Sequence, residues 1–333
     1  MNYLNAHERR IFGRFSALLS WTAVLSFILI VLGSGVRATD SGLACPDWPL
    51  CHGQAVPMFD FQIFMEWFHR LIAGFVGILM LTATVQLFRH TLLRRAFTLQ
   101  IIAAVILLAI QIVLGGLTVL KLLDPATVSA HLTNALMFFT VLVWMATRAK
   151  ALSDEPELRP RYPVTPLVRR LFMAATGLLF VQIALGGMVS TNHAGLVCPD
   201  FPTCHGDWFP PSIWPLWLQM SHRFAAFIIL AVSVGLGFAA ARLPIGRLPR
   251  MTVRFFPWLV LAQIGLGLVN VFFSLPDWAS VSHLGNAALM FTLLLLSTIE
   301  VIEAGEAFKE PWPVNPAISS LPSWRRPSNS VQS

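Results

Sequence analysis

"FTLQIIAAVILLAIQIVLGGLTV", from Phe97 to Val119, contains no charged residue and no proline, and its polarity does not alternate from one position to the next. A helix needs about 20 consecutive apolar residues to cross a hydrocarbon core, and this run supplies them. Only helices and closed barrels satisfy their backbone inside a bilayer, and a barrel strand is short, about 10 residues, with alternating polarity. Seven more stretches of the same kind lie at about 15–36, 64–88, 128–146, 171–191, 216–240, 255–274 and 281–302. Of the 333 residues 56% are hydrophobic and 12% charged, half of the roughly 25% charge typical of a soluble domain. The sequence therefore predicts an all-α polytopic membrane protein with eight transmembrane helices.

The net charge of +7 does not mark a nucleic-acid binder, because most of the 23 Lys and Arg residues sit in alternate connections and the two tails. Clusters such as Arg9, Arg10 and Arg14, then Arg89, Arg94 and Arg95, fall on one side, whereas the other side has Arg37 and Lys121. Basic residues collect on the cytoplasmic side, so both termini are expected in the cytoplasm, with contacts to anionic lipid. The first apolar run is too long for a signal-peptide core and is read as a retained helix. A bacterial plasma membrane is the simplest location. The polar tail from about Ala304 is expected to be disordered.

The chain also repeats itself. Cys45 and Cys198, Cys51 and Cys204, and His69 and His222 are each 153 positions apart, and His131 and His283 are 152 apart. "QIVLGGLTV" at Gln111 answers "QIGLGLVNV" at Gln263, and "HLTNALMF" at His131 answers "HLGNAALMF" at His283. Each half holds four helices, an even number, so both have the same orientation. Two parallel pseudo-symmetric four-helix bundles follow, related by an axis along the membrane normal. The expected divisions are an N-terminal half at 1–147, a cytoplasmic linker at 148–170, a C-terminal half at 171–303 and the tail at 304–333.

All four cysteines fall in "CPDWPLCHG" at Cys45–Gly53 and "CPDFPTCHG" at Cys198–Gly206, both assigned to the outer face. A metal site, a redox switch and a staple all use such residues. Cys45, Cys51 and His52 make three metal ligands rather than four. In an oxidising exterior a thiol pair closes as a disulfide, so Cys45–Cys51 and Cys198–Cys204 are read as bridges over the outer mouth of each half. A redox role remains open for Cys45–Cys51.

His69, His131, His222 and His283 lie inside apolar helices, near the outer start of each even-numbered one, and ionisable residues there are functional candidates. Two facing imidazoles in a bundle core suit a heme, whose iron takes axial histidines from opposite sides. Zinc or copper would recruit further ligands at the same depth. Arg70 and Arg223, next in sequence to two of the histidines, are candidate partners for heme propionates, or snorkelling cations. Asn134 and Asn286 share a helical face with their histidines. The halves differ at one position. The first reads "EWFHR" and the second "QMSHR", so Glu66, one turn before His69, corresponds to the neutral Gln219. Since Arg223 persists opposite a glutamine, the arginine does not exist merely to pair with the glutamate. A carboxyl at a heme face can handle protons or stabilise positive charge, which makes the first half the active one.

Together "EWFHR", "HLTNAL", "SHR", "HLGNAAL" and the two cysteine loops, in a duplicated eight-helix frame, resemble the heme A synthase family over essentially the whole chain up to the tail. The loops resemble those of the members that carry cysteine pairs. The resemblance implies oxidation of the C8 methyl group of heme O to a formyl group, giving heme A. By motif, it implies that His222 and His283 are axial ligands of a resident heme b. His69 and His131 would bind the iron of substrate heme O, and Glu66 would be catalytic. It further implies heme O synthase upstream, a heme-copper cytochrome oxidase or its assembly factors downstream, and an electron donor that the sequence does not name. One rival class, a di-heme, quinol-linked electron-transfer subunit, uses the same histidines. Another, a transporter built from parallel repeats, would need ligands distributed along a path through the membrane, whereas these cluster near one face.

Overall fold

The computed structural model describes residues 4–155, 160–240 and 244–309. Among these residues there are eight helices long and apolar enough to cross a membrane: α1 (Ala6–Ala38), α2 (Phe61–Arg89), α3 (Thr91–Leu120), α4 (Pro125–Ser153), α5 (Pro166–Thr191), α6 (Trp214–Ala240), α7 (Arg247–Phe272) and α8 (Asp277–Lys309). No strand occurs among them, so the protein is an all-helical, multi-pass membrane protein, as its composition predicts.

Several helices overrun their apolar stretches, because a helix does not stop at the edge of the hydrocarbon. α1 starts at Ala6, where the Asn5 side chain accepts the His7 and Glu8 amides and Glu8 returns a bond to the Asn5 amide. This reciprocal cap satisfies the first-turn donors and lets Arg9, Arg10 and Arg14 lie on the helix. Asp60, Asp124 and Thr165 cap α2, α4 and α5 with their side chains alone, which accept first-turn amides, and Pro125 and Pro166 open the latter two. α4 and α5 thus take up part of the expected linker, and α8 runs to Lys309 rather than giving way to a tail at Ala304. Residues 310–333, with Arg325 and Arg326, lie outside the described residues, as do Arg159 and Arg242.

α1 touches α2 and α4, and α3 touches the same two; α5 touches α6 and α8, and α7 touches the same two. α1, α4, α5 and α8 also meet in the middle, where α8 is the most buried span. One continuous core runs from Phe12 and Phe15 on α1 through Phe139 on α4 and Phe172 on α5 to Phe291 on α8. Lipid offers apolar side chains as good an environment as another helix, so small-residue packing and interhelical hydrogen bonds must fix the arrangement. Ser16 donates to the Ala146 carbonyl at 2.9 Å, Thr176 and Thr298 share a bond of 2.7 Å, and Ser129 and Thr191 share one of 2.8 Å.

The repeat seen in the sequence is also present in the backbone. Asp40 and His193, then His52 and His205, are left-handed residues 153 positions apart. Leu122 and Leu123 enter that region between α3 and α4, and Ser274 and Leu275 do so 152 positions later between α7 and α8. These pairs account for every non-glycine residue with positive φ among the described residues. A left-handed conformation is costly for a side-chain-bearing residue, so its recurrence at equivalent positions means that the same turns are built twice.

Candidate functional site

Both cysteine pairs are bridged, Cys45 to Cys51 and Cys198 to Cys204, and all four cysteines are buried. Within each loop the aspartate is the organiser. Asp47 accepts the His52 and Gly53 amides at 2.6 and 2.8 Å, and Asp200 accepts those of His205 and Gly206 at the same distances. These bonds hold both carboxyl pKa values below the ordinary aspartate range. For Asp47 the Gly53 amide is the leading cause, and for Asp200 it is the Thr203 hydroxyl, with the Gly206 amide next. His52, a candidate metal ligand in the sequence, and its counterpart His205 reach the carbonyls of Ala44 and Val197 through Nε2 at 3.0 Å. They fasten the loop. No three His, Cys, Asp or Glu side chains among the described residues converge as a bare metal ion would require.

The arginines join loop to helix. Arg70 donates to the carbonyls of Asp47, Leu50 and Cys45, and Arg223 donates to those of Asp200, Thr203 and Cys198. The same clamp is therefore made twice, whether the neighbour is a glutamate or a glutamine, which explains why Arg223 accompanies Gln219. Phe201 also lies under the Arg223 guanidinium, 5.6 Å from centroid to Cζ.

Glu66 is buried and fixed at both oxygens. Oε2 accepts the Cys45 amide at 2.8 Å, and Oε1 pairs with Arg70 at 2.5 Å. Gln219 instead donates to the Gly195 carbonyl at 3.3 Å. The first half thus carries a buried, oriented carboxylate at the point where loop and histidine helix meet.

Each of the four histidines rests against a glycine of the preceding helix. A Cβ on Gly33, Gly115 or Gly267 would come within 3.3–3.4 Å of Cε1 of His69, His131 or His283, and one on Gly186 within 2.9 Å of Cε1 of His222. The four Nδ1 atoms are buried without a hydrogen-bond partner. Four imidazoles seated on glycine and left with unspent polar capacity are held for something other than packing. The His222 and His283 rings stand with centroids 6.4 Å apart. Two metal–imidazole bonds of about 2.0 Å, plus about 1.1 Å from each nitrogen to its ring centre, require roughly 6.2 Å. The residues of the second half fit a bis-histidine heme. In the first half the fit rests on the same glycine seats, which lie on the Cε1 and Nδ1 side of the His69 and His131 rings and leave Nε2 as the nitrogen turned away from the seat.

Behind His131 and His283 lies a polar relay, whose Asn134 and Asn286 the sequence marks as sharing the histidines' face and whose Gln111 and Gln263 it marks only as heading matching segments. Asn134 donates to the Leu107 carbonyl and to Gln111 Oε1, and Asn286 donates to the Leu259 carbonyl and to Gln263 Oε1. The glutamines then part company. Gln263 Nε2 donates to the His283 backbone carbonyl at 2.9 Å, whereas Gln111 Nε2 meets His131 Nε2 at 3.1 Å.

Fold and site together define a polytopic membrane protein with paired, glycine-seated histidines and two disulfide-closed loops. The chain belongs to the family described as cytochrome oxidase assembly protein, whose profile matches residues 16–63 and 58–295. Among its relatives, the heme A synthase of Shewanella oneidensis is 30% identical over 328 residues, covering 85% of this chain and 94% of that protein. The heme A synthase of Bacillus cereus is 27% identical, covering 87% and 96%, and that of Methylorubrum extorquens 26%, covering 86% of each.

Proposed function

We propose that this protein is a heme A synthase, an oxidoreductase that converts the C8 methyl group of heme O to the formyl group of heme A. The observation that carries the mechanism is the buried, doubly held Glu66, set one turn before His69 and replaced by Gln219 in the otherwise repeated half. In this reading His222 and His283 hold a resident heme b, and His69 and His131 take the iron of heme O. Bound heme supplies the oxidising chemistry that amino-acid side chains lack. The protein contributes position and proton handling. Histidine seats fix the ligand rings, the loops keep bulk water from the outer mouth, and Glu66 accepts a proton or faces developing positive charge at the substrate. Arg70 and Arg223 serve as propionate partners, positive charges pinned at the pocket mouth by loop carbonyls.

The divisions at residues 1–147 and 171–303 describe two halves related by an axis along the membrane normal. The paired left-handed turns support this, as does the contact of Arg37 with Ser190, residues at equivalent positions of the two halves that meet through bonds of 2.8 and 2.5 Å. The distribution of basic residues supports a bacterial plasma membrane with cytoplasmic termini and outer-face cysteine loops. Heme O synthase would supply the substrate, a heme-copper oxidase or its assembly factors would receive the product, and a separate donor would deliver electrons. The comparisons lend no support to the electron-transfer alternative.

The test is incubation of the purified protein with heme O, dioxygen and a competent reductant, followed by extraction of pigments. Hydroxymethyl and formyl hemes are expected. Recovery of heme O alone under every donor tried would refute the synthase reading.

A further inference from the structure

The two glutamines that part company fix which atom of His131 is available. The Leu107 carbonyl can only accept, so the Asn134 atom that touches it is the amide nitrogen. That nitrogen also touches Gln111, which must therefore offer its oxygen. The Gln111 atom facing His131 Nε2 is then the amide nitrogen, and an amide nitrogen can only donate. His131 Nε2 consequently accepts, and its lone pair is spent on Gln111. The same deduction in the second half, from Leu259 through Asn286 to Gln263, ends on the His283 backbone carbonyl and leaves that ring nitrogen uncontested.

A lone pair accepts a hydrogen bond or binds a metal, but not both. We propose that Gln111 is a placeholder for the substrate iron. It holds the ligand nitrogen of His131 by a hydrogen bond that heme O must displace on entering and that re-forms as the product leaves. Gln111 is thus a positioning residue that makes His131 a releasable ligand. Gln263, spent on backbone, leaves His283 a permanent one. This gives a physical reason for two nearly identical histidine pairs to differ in residence time, one exchanging its heme at each turnover and the other keeping it. The inference rests on the assignment of His69 and His131 to the substrate heme.

The test compares wild type, Gln111→Met and Gln263→Met in detergent or nanodiscs with the resident heme in place. Heme O is added, and binding is followed by the Soret change and by the rate of capture by excess apomyoglobin. Losing a competing hydrogen bond worth about 0.5–1.5 kcal/mol should slow release and tighten binding in Gln111→Met roughly 2- to 12-fold. Gln111→Asn, one methylene shorter but still polar, should shift the same way, and it covers the case in which Gln111→Met does not fold. Gln263→Met should not tighten the resident heme. Unchanged or weaker heme O binding in a folded Gln111 variant that retains its resident heme would overturn the placeholder. If wild type itself gives no bis-histidine spectrum with heme O, and the His131→Ala spectrum matches it, the site assignment fails instead.

Discussion

Replacing Gly186 by alanine tests the histidine seats where they are tightest. The added methyl would sit 2.9 Å from Cε1 of His222, with Nδ1 and Nε2 at 3.6 and 3.7 Å. Carbon atoms pack comfortably from about 3.5 Å, so the ring must retreat by roughly 0.6 Å. Ligand geometry at a functional site tolerates about 0.5 Å, so the retreat takes the imidazole just past its productive position. Overpacking of this kind costs about 1–3 kcal/mol, which corresponds to a loss of heme affinity of roughly 5- to 150-fold. At Gly267, on the other side of the same pair, the methyl would stand 3.4 Å from His283, and Gly267→Ala should cost no more than about 2-fold. The assay is the heme-to-protein ratio of the purified variants, with the rate of heme loss to apomyoglobin. If Gly186→Ala keeps its heme as firmly as wild type and Gly267→Ala, then either the seats are not the basis of ligand placement or His222 is not a ligand.

Glu66→Gln should retain bound heme but lower turnover at least about 100-fold, the size of contribution expected of a positioned acid or base; single-turnover assays at wild-type rate would remove Glu66 from the mechanism. Asp47 and Asp200 both have lowered pKa values, so their stabilisation of the loops is complete above the ordinary aspartate value of about 3.9 and fades as pH falls through the folded values. Proteolysis of the outer loops should therefore be flat from pH 7 to about 5 and rise only in stronger acid; a rise near pH 6 would contradict this window.

Eight spans were legible because the bilayer forces the backbone to bond to itself within an apolar segment, and apolar length is visible in any sequence. Helix ends were not, because Arg9, Arg10 and Arg14 interrupt apolarity without interrupting the helix, whose start is set by Asn5 and Glu8. The four histidines and Glu66 could be selected as polar exceptions at one depth. The arginine clamp could not, since its acceptors are backbone carbonyls, which every residue possesses and no letter announces. The glycine seats were visible only as small-residue patches, which ordinary helix packing also produces. Gln111 and Gln263 are the same letter in matching segments, and only the geometry shows that they have taken different work.

The clamp has an evolutionary consequence. Arg70 and Arg223 grip main-chain atoms, so positions 48 and 201, unlike the organising Asp47 and Asp200, can differ between the halves without loosening the clamp. Position 48 became a tryptophan whose indole lies over Gly116, beside the glycine that seats His131, while its counterpart Phe201 settled beneath Arg223. A fastening indifferent to side-chain identity is a permissive one. It allowed two copies of a single lid to diverge in what they cover while remaining attached by the same bonds.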